Sequence, residues 1–355
     1  MIIYQFSIME LINNKIPKRF MSLDIARGIA VLLMVEAHIR FIVPVLSQWA
    51  YLFAAPSFIF ISGVSYQLLI QSRQNKVRSS IYLEVLWRAV LLFLLTASVT
   101  LIGNLFLSRD VSIFIGDIFL IIAVGYIIGL LIKNSIKLKV ITILLIYLLT
   151  FIITSYHIQS LLFLTGSIQI LPGVCYFIVG QIAFEAYKNK NLNLKTSNKF
   201  LAYAAVFIAV NLGILYLIPY NFTIQGRDFF LEFLTISSIM TFITFLLLRT
   251  IDIENRFNKI FKPVRNLGRI SLTGYYVSYV SFVVTGFFIL KTNPIILNLS
   301  FFIFAVIALI LLEKLWRPHK YILGFEWLLR RGTNMGVRFT EKIGKIQLQV
   351  KNRRV

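Results

Sequence analysis

Acidic residues are scarce in this chain. There are 14 Asp and Glu against 36 Lys and Arg in 355 residues, and charged residues of both signs make up only 14%. A soluble domain of ordinary composition is roughly a quarter charged. Too little charge is present to solvate a globule of this size, while 58% of the residues are hydrophobic and the mean hydropathy is +0.83. The surplus apolar surface must face lipid. Cysteine occurs once, at Cys175, which excludes an intrachain disulfide. Histidine occurs three times, with no His/Cys cluster at metal-ligand spacing, so no metal is predicted. A Gly-rich phosphate loop is also absent. No soluble domain and no internal repeat is visible.

What is present is a series of long apolar runs. Crossing the hydrocarbon core takes roughly 20 apolar residues. On that basis spans are expected near 25–46, 49–71, 81–107, 112–132, 140–155, 167–187, 200–220, 229–249, 270–290 and 294–313. The fold class is therefore all-α, a polytopic membrane protein with about ten transmembrane helices. It divides into an N-terminal segment (1–24), the helical domain (25–313) and a basic C-terminal tail (314–355).

The basic residues sort by side. Thirty fall in the two termini and the alternate loops between them. The remaining loops hold only Arg40, Arg109, Arg227 and Lys291, and Arg27 and Arg88 lie inside spans. Cytoplasmic loops carry the Lys/Arg excess, so both termini are expected in the cytoplasm. The net charge of +22 is thus mostly a topology signal. Anionic lipid headgroups are its default partner, and nucleic acid is not expected. The tail from Arg338 to Val355 mixes Lys and Arg with Ile, Val and Leu. It reads either as an amphipathic helix on the membrane surface or as a frayed basic end.

A charge inside a span costs roughly 2.5–3.5 kcal/mol on insertion scales, which makes it a functional candidate by default. The first span holds Asp24, Arg27, Glu36, His38 and Arg40. At 100° per residue Asp24, Arg27, Val31, Met34 and His38 share one face. Arg27 and His38 are three turns, about 16 Å, apart, so Arg27 lies near the cytoplasmic mouth and His38 past the midplane. Glu36 and Arg40 fall on the opposite face as an i, i+4 ion pair. Two readings are open at the inner end: Arg27 as an anion ligand or as a snorkelling residue, and Asp24 as its orienter or as a helix cap. An imidazole deep in an apolar span needs partners, and it is the side chain best suited to proton transfer near neutral pH.

Glu84 and Arg88 form a second i, i+4 pair in the third span, read either as self-neutralising or as a guanidinium presented to phosphate. Asp117, early in the fourth span, has no basic partner nearby in sequence. The aromatic run Tyr275, Tyr276 and Tyr279 fits packing between helices. Gly63, Gly268 and Gly274 fit close helix approach.

The segment SLDIARGIAVLLMVEAH, Ser22 to His38, resembles the first helix of the membrane acyltransferases. These include the acyltransferase-three group, the YeiB-like bacterial proteins and the heparan-alpha-glucosaminide N-acetyltransferases. Asp24, Arg27, Gly28, Ala30 and His38 match by type and spacing. FIFISG (58–63), LWRAVLLFLL (86–95) and GDIFLIIAVGYIIGLL (116–131) resemble the three helices that follow. LGRISLTGYYVSY (267–279) and GFEWLLRRGT (324–333) resemble C-terminal motifs of the YeiB-like branch; the second lacks a Pro and is one residue short.

The resemblance implies an acyltransferase of the cell membrane. It would take acyl-CoA, in the simplest case acetyl-CoA, as cytoplasmic donor and a sugar or glycan-type acceptor on the outer side. Arg27 and Arg88 would meet the CoA phosphates. His38 would act as general base or acyl carrier, and Asp24 would orient Arg27. Asp117, Glu36, Arg40 and Glu84 would be supporting residues. A proton-coupled transporter of a small anionic solute is the alternative, followed by a non-catalytic membrane protein of the same fold. The sequence is silent on the oligomeric state.

Overall fold

The computed structural model describes residues 21–39, 44–73, 78–107, 118–132, 135–155, 170–188, 261–279, 295–319, 321–322 and 324–352. All regular structure among them is helical. The helices are α1 (Met21–Ile39), α2 (Pro44–Ser72), α3 (Arg78–Leu107), α4 (Ile118–Ile132), α5 (Ile136–Ser155), α6 (Ile170–Lys188), α7 (Lys262–Gly268), α8 (residues 271–279), α9 (Ile295–Trp316) and α10 (Phe325–Asn352).

Three described stretches are long and apolar enough to cross a bilayer: Ala54–Ser72, Ser79–Ile102 and Leu299–Trp316. Two shorter apolar helices, Ile118–Ile132 and Gly173–Phe184, pack among them. Several boundaries differ from those expected. α1 already contains Met21 to Asp24, and α2 starts at Pro44, inside the range expected for the first span. α5 takes in Lys137 and Lys139, which read as loop residues in the sequence, and Lys139 is fully buried. The expected spans at 200–220 and 229–249 lie outside the described residues.

α3 shows how the sequence selects its neighbours. Val85, Ala89, Leu92, Thr96 and Val99 recur at helical spacing and are buried, on the side that packs against α4. Leu86, Val90, Phe93, Leu94 and Leu101 lie on the other side and are exposed. Each such side chain would lose roughly 1.5–3 kcal/mol by standing in water rather than in an apolar medium. Lipid is the solvent that removes the penalty. Ile303, Phe304, Ile307 and Leu311 give α9 a similar face. The hydroxyls of Thr96 and Thr100 donate to the carbonyls of Leu92 and Thr96, which satisfies them inside their own helix.

Glycines set the tightest contacts. Gly63 of α2 lies on the backbone of Phe177 in α6, and Gly180 of α6 lies on the backbone of Phe60 in α2. The same reciprocity joins α7 to α1: Gly28 meets the Val264 carbonyl, and Gly268 meets that of Asp24. A Cβ at any of these four positions would overlap main-chain atoms, so small residues let the helices approach. Gly274 in turn sits against Val31. α4 and α6 run side by side in the same direction, with Ile121 against Gly173, Gly125 against the Phe177 ring and Gly129 beside Gln181. α1 is thereby enclosed, with α2, α7 and α9 around it.

Candidate functional site

Asp24 and Arg27 face each other in the N-terminal half of α1. One guanidinium nitrogen of Arg27 lies 3.3 Å from the Asp24 carboxylate. Another donates to the Ser65 hydroxyl on α2. The Ser65 hydroxyl donates a hydrogen bond to the Ile61 carbonyl at 2.7 Å, which leaves its oxygen lone pairs toward Arg27. The Asp24 side chain is almost wholly buried, whereas Arg27 keeps about a quarter of its side-chain surface open. Arg27 is therefore held by two helices rather than snorkelling outward, and one edge of its guanidinium is committed to the protein.

A second cluster joins the end of α2 to the start of α3. Arg88 pairs with Glu84 at 3.2 Å, and Arg73 reaches the same carboxylate at 3.5 Å. Two guanidiniums on one carboxylate leave a local excess of positive charge. The Nε of Arg88 is buried without a hydrogen-bond partner among the described residues. A buried donor left unpaired costs about 1–3 kcal/mol; the Nε atoms of Arg73 and Arg269 share this state among the described residues.

The contacts of Gly28 and Gly268 bring α7 to the same end of α1. Arg265 and Arg269, which read as loop charges in the sequence, flank that crossing and are half-buried. The α8 helix that follows is anchored from the C-terminal part of the chain. The Glu326 carboxylate accepts from the backbone N–H of Leu272 at 2.6 Å and of Thr273 at 3.3 Å. It also accepts from the Thr273 hydroxyl at 2.7 Å, while Thr273 accepts from the N–H of Phe325 at 2.9 Å. Burial raises the Glu326 carboxyl above its ordinary range, and these donors oppose the rise. The segment 267–279 thus docks on the segment 324–333.

In the last turn of α9, Glu313 accepts from Arg317 at 2.6 and 3.1 Å and from the Tyr321 hydroxyl at 2.8 Å. Tyr321 also bonds to Arg269 and sits in left-handed backbone at φ 57°. Tyr275 is buried in ring contact with Phe58 of α2 and Phe119 of α4, and Tyr276 makes a tilted ring contact with Phe325.

The remaining expected site residues are less fully placed. The backbone of His38 belongs to the last turn of α1, three turns from Arg27, but its side chain lies outside the described residues, as do Arg40 and Asp117. Glu36 is half-buried on α1. Ser65, Arg73, Glu313, Glu326 and Thr273 were not singled out from the sequence. Only the buried acids carried a signal, through the cost of charge in an apolar setting.

The family described as heparan-alpha-glucosaminide N-acetyltransferase, catalytic, matches residues 19–179. This part of the chain is similar to that family of membrane acyltransferases. The matched segment is a little under half of the chain and runs from α1 into α6. It holds Asp24, Arg27, Ser65, Arg73, Glu84 and Arg88, and it points to a membrane N-acetyltransferase-like function. No curated protein matches the chain.

Proposed function

We propose that this chain is an integral membrane acyltransferase. In this reading it moves an acyl group, simplest an acetyl group, from acyl-CoA on the cytoplasmic side to a sugar or glycan-type acceptor on the outer side of the cell membrane. The observation that carries it is the family match over the segment in which Arg27 is cradled by Asp24 and Ser65. The ten-span topology with both termini inside belongs to the same reading. So does the single helical domain at 25–313.

The roles follow from the chemistry of thioester transfer. The acceptor oxygen or nitrogen attacks the thioester carbonyl carbon, the C–S bond breaks, and CoA leaves as thiolate. The attacking atom must lose a proton, and the imidazole of His38 takes it. Alternatively His38 carries the acyl group between donor and acceptor. The planar guanidiniums of Arg27 and Arg88 suit the bidentate geometry of CoA phosphates. Asp24 and Glu84 fix their orientation, and Glu36, Arg40 and Asp117 support the bundle.

The test is to give radiolabelled acetyl-CoA to purified, reconstituted protein with a panel of amino sugars and hexoses. Label should move to an acceptor with release of free CoA. An untouched donor across the panel, with labelled anion accumulating inside the vesicles, would assign the fold to transport instead.

A further inference from the structure

The last helix, α10, presents three different strips. Along the first, Gly332 sits against Leu91 of α3 and Gly336 against the Trp87 ring. The Trp87 indole N–H donates to the Thr340 hydroxyl at 3.2 Å. The second strip, Leu328, Met335 and Phe339, is apolar yet 44%, 62% and 62% exposed. The third carries Arg330, Arg331 and Arg338. It borders an open groove of about 490 Å³ whose apolar wall is made by Ile322, Trp327 and Met335. Arg331 lies 5.1 Å from the centre of the Trp327 ring. None of the side chains lining the groove is acidic.

Water is a poor solvent for the second strip and a good one for the third. A helix divided in this way lies in the plane of a membrane interface, apolar face toward acyl chains and basic face toward headgroups. Its docking on α3, which turns exposed Val90 and Leu94 outward, keeps it beside a lipid-facing wall. Three guanidiniums over an apolar floor match a phosphodiester with a glycerol backbone and acyl chain beneath it. The Lys/Arg distribution puts this end of the chain on the side where anionic lipid is enriched.

We infer that the groove on α10 binds the headgroup of an anionic phospholipid from the surrounding bilayer, and that this contact holds α10 at the membrane surface. The inference stands apart from acyl transfer.

The experiment uses the full-length chain. Asn334, exposed and lining the groove, is replaced by Cys and labelled with an environment-sensitive fluorophore; Cys175 is buried and stays unlabelled. The protein is placed in nanodiscs of phosphatidylcholine with increasing phosphatidylglycerol. Emission should shift to the blue and saturate as phosphatidylglycerol rises, and R330Q/R331Q/R338Q should lose the shift. The same shift in phosphatidylcholine alone would overturn the inference. So would its reproduction by inorganic phosphate, or its survival in the triple variant. Self-quenching between labels when two copies share a disc would assign the groove to a second copy instead. If the triple variant does not withstand extraction, the lipid series on the singly labelled protein decides the question by itself.

Discussion

Gly268 rests directly on the backbone carbonyl of Asp24, so α7 crosses α1 with no side chain between them at the residue that pairs with Arg27. The crossing leaves no room for a methyl group. Gly268→Ala is expected to destabilise by about 1–3 kcal/mol, the usual cost of overpacking. It should also raise the KM for the donor, because Asp24 is displaced. Thermal unfolding in detergent together with donor kinetics checks both. A variant as stable as the wild type would mean that the two helices separate freely.

Ser65 holds Arg27 from a second helix, α2. Ser65→Ala should raise the donor KM about ten- to a hundredfold with little change in kcat, since a lost hydrogen bond to a charged group is worth about 1.5–3 kcal/mol. Ser65→Thr should restore it. Loss of kcat with KM unchanged would move Arg27 from donor binding to the chemical step.

At Arg88 the question is charge against fork. Arg88→Ala should weaken CoA binding, measured calorimetrically, more than Arg88→Lys, which keeps the charge and loses the planar donors. Equal loss in two folded variants would reduce the Glu84–Arg88 pair to a structural link.

For His38 the decisive substitution is His38→Gln. It keeps size and hydrogen bonding but cannot accept and release a proton near neutral pH. Transfer should be abolished while CoA still binds, because Arg27 lies about 16 Å away along the helix. Wild-type activity should fall as the medium is acidified and the imidazole becomes charged. Transfer at the wild-type rate in the Gln variant would remove His38 from the mechanism.

Glu326 gives a stability prediction with a definite sign. Its carboxyl is raised in the folded protein, chiefly by burial. Between the ordinary Glu value and the raised one, the folded state holds more protons than the unfolded state. Stability therefore declines as pH rises through that window. Glu326→Gln should flatten the dependence. Unfolding temperatures measured from acid to neutral pH would reveal an opposite slope if the N–H donors outweighed burial.

The helices and the pairs within them were legible because their signals are local. Asp24 with Arg27 and Glu84 with Arg88 stand one turn apart, and a charge in an apolar run announces itself. Ser65 was not legible, since a hydroxyl in a span can satisfy itself on its own backbone, as Thr96 does. Arg73 read as a loop cation because its carboxylate lies eleven residues away on the next helix. Glu326 and Thr273 are 53 residues apart, and only the folded chain shows that one caps the helix containing the other. Lys139 misled in the other direction: a cation near a helix end reads as solvated, yet it is buried.

The reciprocal seats of Gly63 on Phe177 and Gly180 on Phe60 bear on how a substrate gets in. A one-turn slip, about 5.4 Å, would drive neighbouring side chains into main-chain atoms at both seats. α2 and α6 therefore behave as a welded pair, and Ser65 rides on it. Any gate must open elsewhere, among helices less tightly seated. The Arg27 cradle would then meet its ligand already assembled, with the cost of ordering it borne during folding rather than at each turnover.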